Sequence, residues 1–448
     1  MTPRRLKPAR RIEGTLSLPG DKSIGHRAAL LSVLAHEPMT LVNFPTGDDC
    51  RSSLIAAQRL GVEMQSSEDR LILTPPEQFK VEDDLIIDCG NSGTTARLLA
   101  GIIAGSGVEV TLAGDTSLSR RPMRRIIEPL TTMGARFFAD EGHLPMRIQG
   151  RKLLPLEYRL PVASAQVKSS LLMAGLASGC SIVIREDSIT RDHTERMINH
   201  LGHGIEVRDV KPVLVPDPVD PRKRRLERQE SFKREISLNS QAVIVGGEID
   251  IPGDISTAAF FWAAAAISGG TVTIRNVGLN PTRTAILDHL KAIGCKMEIL
   301  DKETVSGEPR GTVTVSGGEL KPRKLSGSQV TSVIDEIPII AVMAAFARGT
   351  TVIRDAAELR VKETDRLQAI ARNLELMGVK CGLLEDGIAV EGTLEVNGAD
   401  FESFGDHRIA MAFSIAALSA VGPSTMDDID CICISCPGFH DLLDSVVQ

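Results

Sequence analysis

The sequence predicts an α/β protein of two similar domains, each made of three repeated βαβαββ-type units, with helices packed inside and sheets outside. Three observations carry this. One frame occurs twice, as Gly14-Thr-Leu-Ser-Leu-Pro19-Gly20-Asp21-Lys22-Ser23 and as Gly247-Glu-Ile-Asp-Ile-Pro252-Gly253-Asp254-Ile255-Ser256. A small-residue-rich helical stretch, a break at Gly or Pro, and a Thr- or Ser-bearing strand recur six times. A second kind of helix ends at a large apolar residue followed by Gly, the expected stop signal.

Helices of the first kind are expected at Ala28 to Ala35, Ala96 to Ala104, Val167 to Ala177, Thr257 to Ile267, Ile337 to Ala347 and His407 to Ala420. Each precedes a strand, beginning near Thr40, Val110, Ser181, Val272, Thr351 and Ser424. Their Ala- and Leu-rich composition suits helices buried on most sides. Helices of the second kind stop at Leu60-Gly61, Met133-Gly134, Leu201-Gly202, Ile293-Gly294 and Met377-Gly378, and a sixth runs from Phe439 to Val447. Alternating strands and helices over roughly 70 to 80 residues indicate layered, repeated units. With Pro19-Gly20 and Pro252-Gly253 as equivalent crossover points, one domain spans 20–252 and the other comprises 1–19 and 253–448. The chain then passes twice between domains, a hinge around a cleft.

A chain of 448 residues exceeds one ordinary core. Aromatic content is 3%, with one Trp and one Tyr, which argues against stacking platforms for single-stranded nucleic acid. A net charge of −7 argues against a broad nucleic-acid or membrane surface, so any anion site is a local cluster of Lys and Arg. The basic N-terminus has no apolar segment of a secretory signal, and no apolar run reaches transmembrane length. Cys433-Ile-Ser-Cys436 is a C-x-x-C without a second pair, and Cys89, Cys180, Cys295 and Cys381 are scattered. Reduced thiols in a cytosolic protein are the expectation, with no metal site. The stretch from Pro216 to about Ser231, with Arg222-Lys-Arg-Arg225, reads as a solvated surface hairpin or insertion.

Charges at the starts of small, apolar helices are costly unless used, and five places stand out. Lys22-Ser23 with Arg27 follows a strand and a Gly turn and opens a helix, where free N–H groups favour an anion such as phosphate. It has half of a P-loop's features without the G-x-x-x-x-G-K-[ST] spacing; an ordinary capped helix start is the competing reading. Asn91-Ser-Gly93-Thr-Thr with Arg97 offers close backbone approach at Gly93, though alone it reads better as an N-cap. Arg120-Arg121-Pro122, with Arg124 and Arg125, crowds a helix N-terminus with cations, which an anionic ligand would offset. Ser164-Ala165-Gln166-Val167-Lys168 opens an Ala/Leu helix, and Arg191-Asp192-His193 follows in the same unit. In the second half, Asp335-Glu336, Val361-Lys362-Glu363-Thr364-Asp365-Arg366 and Asp406-His407-Arg408 each precede a buried helix. Acids there suit proton transfer, and the arginines suit a carboxylate or phosphate. Taken singly, Glu363 and Arg366 form an ordinary i,i+3 salt bridge.

Together these segments closely resemble the 5-enolpyruvylshikimate-3-phosphate synthase family over essentially the whole chain. Leu18-Pro-Gly-Asp-Lys-Ser, Asn91-Ser-Gly-Thr-Thr, Arg121-Pro122, Val361-Lys-Glu-Thr-Asp-Arg-Leu367 and Asp406-His-Arg408 stand in the family's order. Ser164-Ala-Gln-Val-Lys and Thr190-Arg-Asp-His-Thr194 look like its second class. The resemblance implies the inside-out α/β barrel of enolpyruvyl transferases with a double-crossover hinge. It implies transfer of the enolpyruvyl group of phosphoenolpyruvate to the 5-hydroxyl of shikimate-3-phosphate, through a tetrahedral intermediate, without metal or cofactor. A cytoplasmic monomer is expected.

By the same resemblance, Lys22, Ser23, Arg27, Ser164, Ala165, Gln166, Arg191, Asp335 and Lys362 fall on shikimate-3-phosphate positions. Lys22, Gly93, Arg121, Gln166, Arg366 and Arg408 fall on phosphoenolpyruvate positions. Asp335 falls on the base, Glu363 on the acid that protonates the methylene, and Lys22 is catalytic with them. His407 is read as orienting Arg408. A Lys that first-class members carry before the C-terminal Pro is replaced at Ile434. The competing readings are the sister transferase for UDP-N-acetylglucosamine and a non-catalytic α/β scaffold. The former has Lys-Asn at Lys22-Ser23 and a Cys near Arg121, and this chain has neither. Two expectations concern the cleft. Cations on both halves should repel when it is empty, so that ligands drive closure. Gly93 should leave room that an Ala methyl would fill, where glyphosate competes with phosphoenolpyruvate.

Overall fold

A computed structural model describes residues 1–9, 11–211, 213–216, 224–227, 230–393 and 395–448. Two hydrophobic cores form: one from Ile24 to Ile251, the other from Leu6, Ile12, Leu16 and Leu18 together with Ile255 to Val446. Each is built on three helices that are buried nearly all round. The first half has Lys22–Leu31, Gly93–Ser106 and Ala165–Ser178. The second has Ile255–Ser268, Ile337–Ala345 and His407–Leu418. Their small residues let backbones approach closely: a Cβ on Gly101 would stand 2.0 Å from Ser170 O of the neighbouring helix. Sheets cover the outside, and the helices expected from composition lie inside.

The βαβαββ unit is plainest over 86–149. Strand Ile86–Asp88 pairs parallel with Glu109–Ala113, which pairs antiparallel with Met146–Gln149, itself antiparallel to Arg136–Ala139. The same four-strand order recurs around Met39–Val42, Ile182–Glu186, Thr271–Gly278 and Thr350–Ile353. In the last unit, Arg4–Leu6 stands antiparallel to Ser424–Met426. Four of the second-kind helices stop as expected at a positive-φ glycine: Gly61, Gly134, Gly294 and Gly378. Gly202 does not. Its φ is −170°, and it begins the strand Gly202–Asp209 directly. A side chain there would collide with Val243 O of the neighbouring strand, at 1.9 Å, so close sheet contact explains this glycine.

The two copies of the repeated frame exchange partners. Strand Glu13–Ser17 pairs parallel with Thr271–Arg275 in the second half, and Gly247–Asp250 pairs parallel with Met39–Val42 in the first. Between them the Pro-Gly-Asp turns bond each other: Asp21 N donates to Pro252 O (2.8 Å) and Asp254 N to Pro19 O (3.0 Å). A Cβ on Gly20 would lie 2.1 Å from Asn43 O, so only glycine passes there.

Strands Val213–Pro216 and Arg224–Glu227 pair as a hairpin; the expected charged insertion otherwise falls on 217–223 and 228–229, which lie outside the described residues. All eight cysteines are unpaired, including Cys50, buried beside Lys22. No helix among the described residues is long and apolar enough to cross a membrane.

Candidate active site

Thirteen of the fourteen residues given substrate or catalytic roles line one cleft of about 210 Å³ between the halves. Helix starts put them there. Asp21 caps Lys22–Leu31 through Ile24 N, Ser92 caps Gly93–Ser106 through Thr95 N, and Ser164 caps Ala165–Ser178 through Val167 N. From the other half, Asp365 caps Arg366–Leu376 and Asp406 caps His407–Leu418. These helix N-termini bring Lys22, Ser23, Gly93, Ser164, Ala165, Gln166, Arg366 and Arg408 to one opening, with partial positive charge behind them.

Among the described residues, nine Lys and Arg line the cleft against five Asp and Glu. The excess suits phosphate and carboxylate groups. Lys22 Nζ lies 2.5 Å from Asp49. Burial would lower the Lys22 ammonium, but Asp49 outweighs it and the net displacement is upward, so Lys22 is charged. Arg121 donates to Asn91 Oδ1 (2.7 Å) and lies 3.6 Å from Glu363. Arg366 donates to Asp406 and to Glu363, both at 2.7 Å. Arg408 donates to Asp335 O (2.9 Å) and Ser256 Oγ (3.1 Å). Gln166 is held from both sides, accepting from Arg97 (3.0 Å) and donating to Thr94 Oγ1 (3.1 Å).

The two acids are embraced by cations. Asp335 pairs with Arg191 across the cleft, with Lys362 and Arg366 each 3.7 Å away. Burial alone would raise the Asp335 carboxyl; Arg191, Lys362, Arg408 and Arg366 hold it well below the usual range. Burial likewise opposes ionisation of Glu363, and Arg366, His407, Arg121 and Lys362 override it, holding the group well below the usual range. Arg191–Asp335 and Arg121–Glu363 therefore attract the halves across the cleft. The expectation of repulsion counted the cations of both halves and not the acids they meet.

Three further placements differ from expectation. Arg27 does not line the cleft. It is buried behind it, donating to Ser23 O (2.8 Å), Thr194 Oγ1 (2.8 Å) and Ser169 Oγ (2.9 Å). Burial and Arg191 lower its guanidinium to about 10. His407 does not hydrogen-bond Arg408: neither ring nitrogen has a partner among the described residues. Burial, then Lys22, pushes that imidazole well below its usual range. At Gly93, the room for a methyl is already taken, since a Cβ would stand 2.8 Å from the Arg97 guanidinium.

The lining also includes Asp49, Arg97, Asp254, Ser256 and Arg283, which were not assigned roles from the sequence. Asp254 belongs to the second Pro-Gly-Asp turn, so its repeat position was the available signal. Arg283 donates to Ser256 Oγ (3.1 Å) and lies 3.4 Å from Glu336; nothing in its local sequence marks it. No group of three or more His, Cys, Asp or Glu suited to a metal ion occurs among the described residues.

The family model described as EPSP synthase (3-phosphoshikimate 1-carboxyvinyltransferase) matches residues 6–443. A 3-phosphoshikimate 1-carboxyvinyltransferase of Geobacter sulfurreducens is 43% identical over 443 residues, 98% of each chain. Another, from Desulforamulus reducens, is 40% identical over 448 residues, 99% of each. The solved EPSP synthase of Acinetobacter baumannii superposes with a TM-score of 0.83 at 35% identity, covering 100% of this chain and 98% of that one. The chain belongs to the EPSP synthase family, the 3-phosphoshikimate 1-carboxyvinyltransferases.

Proposed function

We propose that this cleft transfers the enolpyruvyl group of phosphoenolpyruvate to the 5-hydroxyl of shikimate-3-phosphate, releasing phosphate. The chain is an enzyme of aromatic amino acid biosynthesis. One observation supports the residue roles best: the cation nearest each acid falls on the substrate that acid would serve. Asp335 is held most closely by Arg191, on the shikimate-3-phosphate side with Lys362, Ser23, Ser164 and Ala165; Arg366 stands as near to it as Lys362 does, and Gln166 serves both substrates. Glu363 is held by Arg366 and Arg121, on the phosphoenolpyruvate side with Gly93 and Arg408.

Substrate anions then act by exchange. A phosphate or carboxylate that takes over these cations removes what depresses the acids, and both carboxyls rise toward their ordinary range. Asp335 becomes a usable base for the 5-hydroxyl. Glu363 becomes able to carry a proton to the methylene as the tetrahedral intermediate forms. Lys22, charged through Asp49, bridges both substrates and stabilises the charge that develops between them. Arg27 acts from behind, fixing Ser23 through its backbone carbonyl.

A cleft of about 210 Å³ is smaller than the roughly 300–1,000 Å³ usual for small-molecule sites. The halves, 20–252 and 1–19 with 253–448, therefore open to load and close again over both substrates, working as a cytoplasmic monomer. Phosphate release measured with phosphoenolpyruvate and shikimate-3-phosphate tests the reading. Turnover is expected with this pair and none with UDP-N-acetylglucosamine as acceptor. No turnover with shikimate-3-phosphate sinks it.

A further inference from the structure

Lys168 is fully buried in the helix Ala165–Ser178, between two buried glutamates. Its Nζ lies 3.1 Å from Glu186 Oε1 and 2.8 Å from Glu195 Oε1. Such a triad is a poor way to stabilise a core. Desolvation offsets most of the attraction, and apolar residues of the same volume often do as well or better. Its value lies in what it touches. Glu186 Oε1 accepts from Thr190 N (3.3 Å) and from Thr190 Oγ1 (2.5 Å), the residue before Arg191. On the other side, the residues following Lys168 and preceding Glu195 are Ser169 and Thr194. Their hydroxyls bond each other at 2.6 Å, and both receive Arg27. Arg191 in the cleft and Arg27 behind it thus both adjoin one buried ion cluster, which also anchors the helix that opens with Ala165-Gln166.

We infer that Lys168 is a positioning residue for the shikimate-3-phosphate side of the cleft, fixing the Thr190–Arg191 segment through Glu186 and the Arg27 cradle through Glu195. The inference rests on the assignment of Arg191 to that substrate. It touches neither substrate directly and does not bear on phosphoenolpyruvate.

Steady-state kinetics of the full chain tests it with four variants. Arg191→Leu checks the assignment: an unchanged KM for shikimate-3-phosphate overturns the assignment itself. Thr190→Val removes the hydroxyl that Glu186 holds, and about a tenfold rise in that KM is expected, the equivalent of one hydrogen bond to a charged group. The KM for phosphoenolpyruvate should stay within about twofold, and Thr190→Ser should restore both. Lys168→Met should give the same KM split in a larger degree. If Arg191→Leu raises the KM while Thr190→Val and Lys168→Met leave it unchanged and shift only Tm, the cluster is structural and the inference falls. If Lys168→Met does not fold, the Thr190 pair decides alone.

Discussion

Gly93→Ala adds one methyl group at the first residue of the helix Gly93–Ser106. Its backbone needs no left-handed conformation, and Ala in place of Gly favours a helix by roughly 0.5–1 kcal/mol, so the fold should not suffer. The cost falls on the cleft. The new Cβ would stand 2.8 Å from the nearest nitrogen of Arg97 and 3.4 Å from Arg121. Regaining a tolerable 3.4 Å from Arg97 requires a shift of about 0.6 Å (3.4 less 2.8). Arg97 holds Gln166 Oε1 at 3.0 Å. A shift of that size away from Gln166 stretches the contact to about 3.6 Å, beyond a hydrogen bond. A charge-assisted bond of this kind is worth about 1.5–3 kcal/mol. We therefore expect the KM for phosphoenolpyruvate to rise about tenfold or more, the inhibition constant of glyphosate to rise with it, and Tm to hold or increase. Initial-rate kinetics and a thermal melt measure all three. A double-mutant cycle with Arg97→Lys should be strongly non-additive, because the methyl acts through that guanidinium. Unchanged constants, or additive effects in the cycle, refute the reasoning.

Asp335→Asn and Glu363→Gln should each lower kcat by about 10² to 10⁴, the range for a lost general acid or base, and lower Tm as well, since each leaves buried arginines without their counter-charge; near-normal turnover in either removes its role. Arg27→Ala should lower Tm as well as activity, because it strands three hydrogen-bonded partners behind the cleft; an unchanged melt would contradict its placement. Burial, with Arg323 nearby, lowers the His289 imidazole to about 3, so the unfolded chain takes up its proton first and stability is lost as pH falls below about 6.5. Unfolding free energies of the parent and His289→Gln should accordingly converge by about 1 kcal/mol between pH 7 and 5.5, and a pH-independent difference counts against that burial. Asp335 and Glu363 are lowered too, but lowering favours the charged form of an acid, so their cross-cleft pairing persists through and above the ordinary carboxylate range and is lost only as pH falls through their depressed values. Small-angle scattering of the unliganded protein should thus show no change in size from pH 8 to 5, and expansion over that span would contradict it.

Much of the fold was legible because the repeat is written in composition. Helices such as Thr257 to Ile267 are apolar on every side, which only a central position permits, and Gly61, Gly134, Gly294 and Gly378 mark real stops. Gly202 misled for a physical reason: a glycine demanded by strand contact carries the same letter as one demanded by a helix end. Helix-start charges located the cleft for the same reason the helices were legible, since nothing else in those apolar segments is ionic. What the local pattern could not supply was partnership. Arg191 meeting Asp335, or Arg27 turning toward Ser169 and Thr194, depends on residues more than a hundred positions apart. Arg283 shows the limit, with no neighbour in sequence hinting that it faces Ser256 and Glu336.

The exchanged strands set an order for folding during synthesis. The first half is an excursion within the second: it leaves after Glu13–Ser17 and is closed when Gly247–Asp250 docks beside Met39–Val42. Everything it needs has then been made, so it can mature while translation continues. The N-terminal strands have no such neighbour. Glu13–Ser17 waits for Thr271–Arg275, Arg4–Leu6 waits for Ser424–Met426, and Glu13 N finds its acceptor only at Val446 O. Strands made before the first half are therefore ordered after it, and a nascent chain halted near residue 260 would carry one finished half with Arg4–Leu6 and Glu13–Ser17 still unpaired.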